Sequence, residues 1–141
     1  MRNFNSSRPH PALQDFMILA VRLFVGFSML THGIPKVQQL IGTDKIEFVN
    51  FLGIGSALSL MLAVFAECIC SVFIIFGLVT RLAVIPLIIT MLIACFVVHA
   101  ADPYAVKEAS LLYFFLYFVI LILGSGRFSL DQLFSRKEVV Y

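Results

Sequence analysis

Four apolar stretches, each close to the length of a membrane span, leave this chain little choice of solvent. They are Phe16–Thr31, extendable to Gly33; Ala57–Leu78; Leu82–Ala101; and Ala109–Leu123, extendable back to Val106. A bilayer crossing takes roughly 20 apolar residues, with a range of about 17–25. Backbone groups in lipid must hydrogen-bond within their own segment, so each stretch has to be a helix; no long alternating pattern competes as a barrel strand. Composition agrees, since 61% of the 141 residues are hydrophobic and 13% charged, with mean hydropathy +1.03. Soluble domains carry about 25% charged residues. The fold class is therefore all-α: a membrane protein built as a four-transmembrane-helix bundle.

The first stretch is expected to stay in the mature protein, because Arg22 interrupts it, no small-x-small cleavage site follows and further spans come after it. Spans two and three are joined only by Val79-Thr80-Arg81, and spans three and four by residues 102–107, so these pairs should be tight antiparallel hairpins. The first loop, from about Gly33 to Ser56, alone has room for structure of its own. Pro35 should end or kink the first helix. Asp44 followed by Glu47 resembles a capping box ahead of Ile46, Phe48, Val49, Phe51 and Leu52, with Gly53 as a stop, which predicts a short interfacial helix between spans one and two. On this reading residues 1–14 form a tail, 15–132 the membrane domain and 133–141 a second tail.

Lys and Arg near span ends set orientation. Arg2, Arg8, Arg81, Arg127, Arg136 and Lys137 fall on the face of the termini, against Lys36, Lys45 and Lys107 on the other. Six against three predicts cytoplasmic termini. The net charge of +2 is too small to argue for nucleic acid as a partner. The cysteines Cys68, Cys70 and Cys95 all lie inside spans; Cys68 and Cys70 stand about 200° apart around a helix, which suits core packing better than a redox pair.

Ionisable groups inside or at the ends of the spans are the candidates for function, since each costs roughly 2.5–3.5 kcal/mol to place in the middle of a bilayer. Arg22 and Glu67 lie at depths that differ by roughly 6 Å at 1.5 Å per residue, and are expected to form a buried ion pair. His32, Lys36, His99, Asp102 and Glu108 gather near the outer ends of three spans, at one depth, and are expected to line a polar ligand-binding pocket. On span one, Arg22, Gly26, Met29, Gly33 and Lys36 share a stripe; on span two, Ala63, Glu67 and Ser71 share a face. The structural alternatives are a neutralised pair fixing helix register and solvated or snorkelling residues at the span ends. Tyr113 and Tyr117, one turn apart, suit packing or an interfacial belt better than redox chemistry.

At these residues the chain resembles the DoxX family of small bacterial membrane proteins. The resemblance rests on Arg22-x3-Gly26, Thr31-His32-Gly33-Ile34-Pro35-Lys36, Ala66-Glu67, Gly77-Leu78-Val79-Thr80-Arg81, His99, Lys107-Glu108 and Gly124-Ser125-Gly126-Arg127-Phe128-Ser129-Leu130-Asp131, in that order over about residues 15–132. It implies four membrane helices, and it leans toward redox: the family takes its name from subunits of an archaeal thiosulfate:quinone oxidoreductase.

The resulting expectation is a membrane subunit of a redox complex that meets quinone in the outer pocket. His32 and His99 would serve as hydrogen-bond donors or proton carriers, Lys36 as a positive field, and Asp102 or Glu108 as a relay. The sequence has no cysteine pair, flavin motif or nucleotide-binding glycine loop, so electrons would come from a soluble or membrane redox partner protein or a bound cofactor. The alternative is a non-enzymatic scaffold or small-solute carrier, the latter needing a homo-oligomer to enclose a path. Haem held by His32 and His99 is disfavoured, lone interfacial histidine pairs being common. A metal on His32, His99, Asp102 and Glu108 has no diagnostic ligand spacing behind it.

Overall fold

A computed structural model describes residues 10–42 and 46–138. Four helices are long and apolar enough to cross a membrane: α1 (Pro11–Ile41), α2 (Ser56–Phe76), α3 (Thr80–Val98) and α4 (Tyr104–Leu123). A short fifth helix, α5 (Leu130–Glu138), follows at the end of the bundle where α1 and α3 begin. All four spans surround one core, in which Val25 and Met29 of α1 meet Cys70 and Ile74 of α2, Val84 and Leu87 of α3, and Tyr117 and Ile120 of α4. The outer faces expose large apolar side chains such as Phe24, Phe76, Leu82 and Phe115, as lipid-facing surfaces do. The stripe expected on α1 is buried at Arg22, Gly26, Met29 and Gly33.

The first loop is shorter than expected. α1 does not end at Pro35: it continues to Ile41, 31 residues in all, or roughly 46 Å at 1.5 Å per residue. Proline removes one N–H, and a bundle tolerates that loss when neighbours hold the flanking turns. Here Gly33 packs on α2, where a Cβ would stand 2.5 Å from Cys68 Sγ, and Lys36 is anchored on α2 as well. The short element between spans one and two is a single 3-10 turn, Phe51–Gly53, preceded by irregular chain over 46–50. Asp44, the proposed cap, lies outside the described residues. Side chains define this loop instead: the Phe51 amide donates to Ser59 Oγ at 3.1 Å, and the Gly55 amide to Asn50 Oδ1 at 2.8 Å. The fourth span begins at Tyr104, earlier than its apolar run, because Pro103 just before it suits a helix start and polar residues are tolerated in an interfacial first turn.

The α2–α3 hairpin closes through backbone geometry with little sequence signal. α2 ends on left-handed Gly77 (φ 68°), with the Leu78 amide donating to Phe73 O at 2.9 Å, the pairing of a Schellman ending. Val79 is also left-handed, at φ 47°, a strained state for a β-branched residue. Asp131 of α5 holds it there. Its Oδ1 accepts from the Val79 amide at 2.6 Å, and its Oδ2 from the amide and hydroxyl of Thr80, each at 3.0 Å. The N-terminus of α3 is thus capped from the far end of the chain.

Candidate functional site

Arg22 and Glu67, expected to pair, have different partners. The guanidinium of Arg22, 1% exposed, bonds only to carbonyls: Nε to Ile74 O at 2.9 Å, Nη2 to Ile75 O at 2.9 Å, and Nη1 to Ser125 O at 2.5 Å and Phe128 O at 3.0 Å. The last carbonyls of a helix have no intrahelical donor, and a cation there also meets the negative end of the helix dipole. Arg22 therefore closes the end of α2 and ties it to the turn after α4. Gly77 makes room for this, since the guanidinium occupies the space a Cβ would need.

Glu67 pairs instead with Lys36, through Lys36 Nζ and Glu67 Oε1. The partner changes because α1 runs past Pro35 and carries Lys36 into the bundle, roughly 21 Å along the helix from Arg22. The carboxylate is 3% exposed and the lysine side chain 28%. Lys36 Nζ also lies 5.9 Å from the ring centroid of Phe48, in the loop above, within cation–π range. The second carboxylate oxygen, Glu67 Oε2, has no hydrogen-bond partner among the described residues; nor do Ser71 Oγ and Tyr117 Oη, both fully buried.

Glu67 lies in a π-helical segment, Phe65–Cys70, that interrupts α2; a second, Ala94–Val98, ends α3. Such bulges recur at functional sites because they swing side chains out of the regular helical phase. Both border one cavity of about 360 Å³, to which Phe65, Ala66 and Glu67 contribute from one segment and Ala94 and Val98 from the other. Phe48, Val49 and Phe51 roof it from the first loop, and Pro86, Ile89 and Thr90 extend it toward mid-membrane. Thr90 turns its hydroxyl onto the Pro86 carbonyl at 2.9 Å, so the cavity wall is apolar apart from the Lys36–Glu67 pair and Ser59. The volume falls within the roughly 300–1,000 Å³ of small-molecule pockets.

The five residues expected in one outer pocket divide into separate groups. Lys36 alone lines the cavity. His99 and Asp102 pair with each other, Nδ1 to Oδ2 at 2.7 Å, at the end of α3. His32 is exposed on α1, edge-on to Tyr113 with centroids 6.4 Å apart. Glu108 is exposed on α4, and its neighbour Lys107 donates to Ala100 O at 2.7 Å. Among the described residues no three His, Cys, Asp or Glu side chains converge as a metal site. Three site features escaped the sequence reading: the Lys36–Glu67 pairing, the roof from the first loop, and the carbonyl cage around Arg22. Backbone acceptors carry no residue code, so nothing in the sequence marks that cage.

Residues 17–100 match the DoxX family. The chain belongs to that family. No curated protein and no solved structure matches it. The DoxX match contains Lys36, Glu67, both π segments and every residue lining the cavity, whereas α4 and the Asp131 cap lie beyond it.

Proposed function

We propose that this DoxX protein is the quinone-binding membrane subunit of a redox complex, with the cavity beside Lys36 and Glu67 as its binding site. One observation carries the reading: a buried ion pair, with one carboxylate oxygen unpartnered among the described residues, stands at the edge of an otherwise apolar cavity. A quinone is amphiphilic in the matching way, with carbonyl oxygens on a small ring and an isoprenoid tail. The redox association of the family adds weight.

The residues divide the work by chemistry. Lys36 has N–H donors to spare beyond Glu67 and would donate one to a carbonyl oxygen of the ring. Phe48 and Phe51 would close over the ring plane, while Ile89, Ile93 and Val98 would exclude water. A bound quinone would supply two-electron, two-proton chemistry, with the electrons coming from a partner redox protein. Glu67 Oε2 would hold a proton close to the ring. His99, directly after cavity-lining Val98 and paired with Asp102 at the surface, would exchange protons with the aqueous phase. His32 and Glu108 lie outside the cavity lining and take no part in this reading. We orient the termini toward the cytoplasm of a bacterial inner membrane, on the strength of six basic residues against three.

The test is quinone binding by the full chain in lipid nanodiscs, read by native mass spectrometry and by thermal shift with a short-chain quinone. Wild type should bind, and Lys36→Met should weaken binding at least about tenfold, the worth of one charge-assisted hydrogen bond. A folded wild type that binds no quinone would overturn the reading in favour of a non-enzymatic scaffold.

A further inference from the structure

A second, separate cleft lies at the opposite end of the bundle, where α1 and α3 begin. It encloses about 620 Å³ between Asp15 of α1, the start of α3, the turn after α4 and α5. Two guanidinium groups enter it from different elements, Arg81 from α3 and Arg127 from the turn. Arg81 lies against the backbone of Gly124, where a Cβ would stand 3.6 Å from its Nη2. Both arginines are exposed, and among the described residues neither side chain has a hydrogen-bonded or ion-paired acceptor.

The two carboxylates in the cleft are already engaged. Asp131 spends both oxygens on Val79 and Thr80, and Asp15 accepts from the backbone amide of Arg127 at 3.1 Å. The carboxylates keep their charge, but their bonds go to backbone amides and a hydroxyl, so the guanidinium N–H donors of Arg81 and Arg127 remain without acceptors among the described residues. A phosphate group has acceptor oxygens enough for both. The rim shows which source of anion fits. Leu82 and Leu123 border the cleft and are 65% and 44% exposed, as the ends of two membrane spans, so a ligand seated on the arginines has hydrocarbon-facing surface directly beside it.

We infer that this cleft binds the phosphate of an anionic phospholipid, Arg81 and Arg127 holding the headgroup while an acyl chain lies along Leu82 and Leu123. The arrangement follows the general chemistry of basic pockets between membrane helices, and it is independent of the cavity at Lys36 and Glu67.

The experiment is native mass spectrometry of the full chain released from nanodiscs of defined composition, counting retained phosphatidylglycerol against phosphatidylcholine. Wild type should retain the anionic lipid preferentially, and Arg81→Gln with Arg127→Gln should lower its apparent affinity about 30-fold, at the usual worth of two surface arginines. Lys107→Gln, on the opposite face, should change nothing. Inorganic phosphate at the same concentration should fail to displace the lipid. Equal retention of both lipids by wild type, unchanged retention by the double variant, or displacement by inorganic phosphate would each overturn the inference, the last by making the cleft a free-anion site. Should the double variant not fold, the wild-type unfolding midpoint in the two lipids decides, and equal midpoints overturn the inference.

Discussion

Replacing Arg22 would show how much of the bundle hangs on one side chain. Its guanidinium satisfies carbonyls from α2 and from the turn after α4, so truncation strands several acceptors in a low-dielectric interior. Arg22→Ala should cost about 3 kcal/mol or more, counting one unsatisfied buried group at roughly 1–3 kcal/mol. Arg22→Lys should recover only part of this, since an ammonium cannot reproduce the planar fork that reaches residues on two elements. Reversible unfolding in mixed micelles measures both, and a loss below about 1 kcal/mol for Arg22→Ala would show that the cage is dispensable. That Arg22 and Glu67 needed partners was legible in the sequence, because a charge in an apolar run is conspicuous. Which partners they take was not. Arg22 uses backbone oxygens, which every residue possesses, and Lys36 reaches Glu67 only because α1 passes through a proline that ordinarily stops a helix.

Among the elements, the spans were legible because hydrocarbon thickness imposes their length. The π segments were not. Each inserts a local change of phase, so a wheel drawn at 100° per residue loses its register at Phe65 and again at Ala94. The junction of α2, α3 and α5 offers a sharper test. Val79 sits in left-handed backbone, which costs about 1–3 kcal/mol for such a residue, and Asp131 compensates by capping α3. Asp131→Ala should destabilise the protein by about 1–2 kcal/mol, as lost caps do. Hydrogen exchange gives a local readout: amides of Val79 and Thr80 should lose protection while mid-α3 amides keep theirs. Asp131→Asn should fall between, retaining an acceptor without the charge.

For the whole molecule, the four described spans put the start of α1 and the end of α4 on one face, and the charge count predicts that this face is cytoplasmic. In a background with Cys68, Cys70 and Cys95 replaced, Lys107→Cys should react with a membrane-impermeant maleimide added to intact cells. Arg127→Cys should react only after the membrane is opened. The reverse pattern would invert the proposed orientation, and labelling of both from outside would contradict the four-span topology. The sides matter because the chain carries a different kind of recess at each end, one apolar with a buried ion pair, the other open and lined by two arginines and two aspartates.

The cage around Arg22 also has a consequence in time. Its acceptors Ile74, Ser125 and Phe128 lie 52, 103 and 106 residues further along the chain. While the first helix is being synthesised none of them yet exists, and an arginine in a lone span costs roughly 2.5–3.5 kcal/mol. The first span is therefore poorly settled at birth and gains its last two bonds only when the fourth span is in place. A chain cut short before Ser125 would leave its opening helix incompletely anchored.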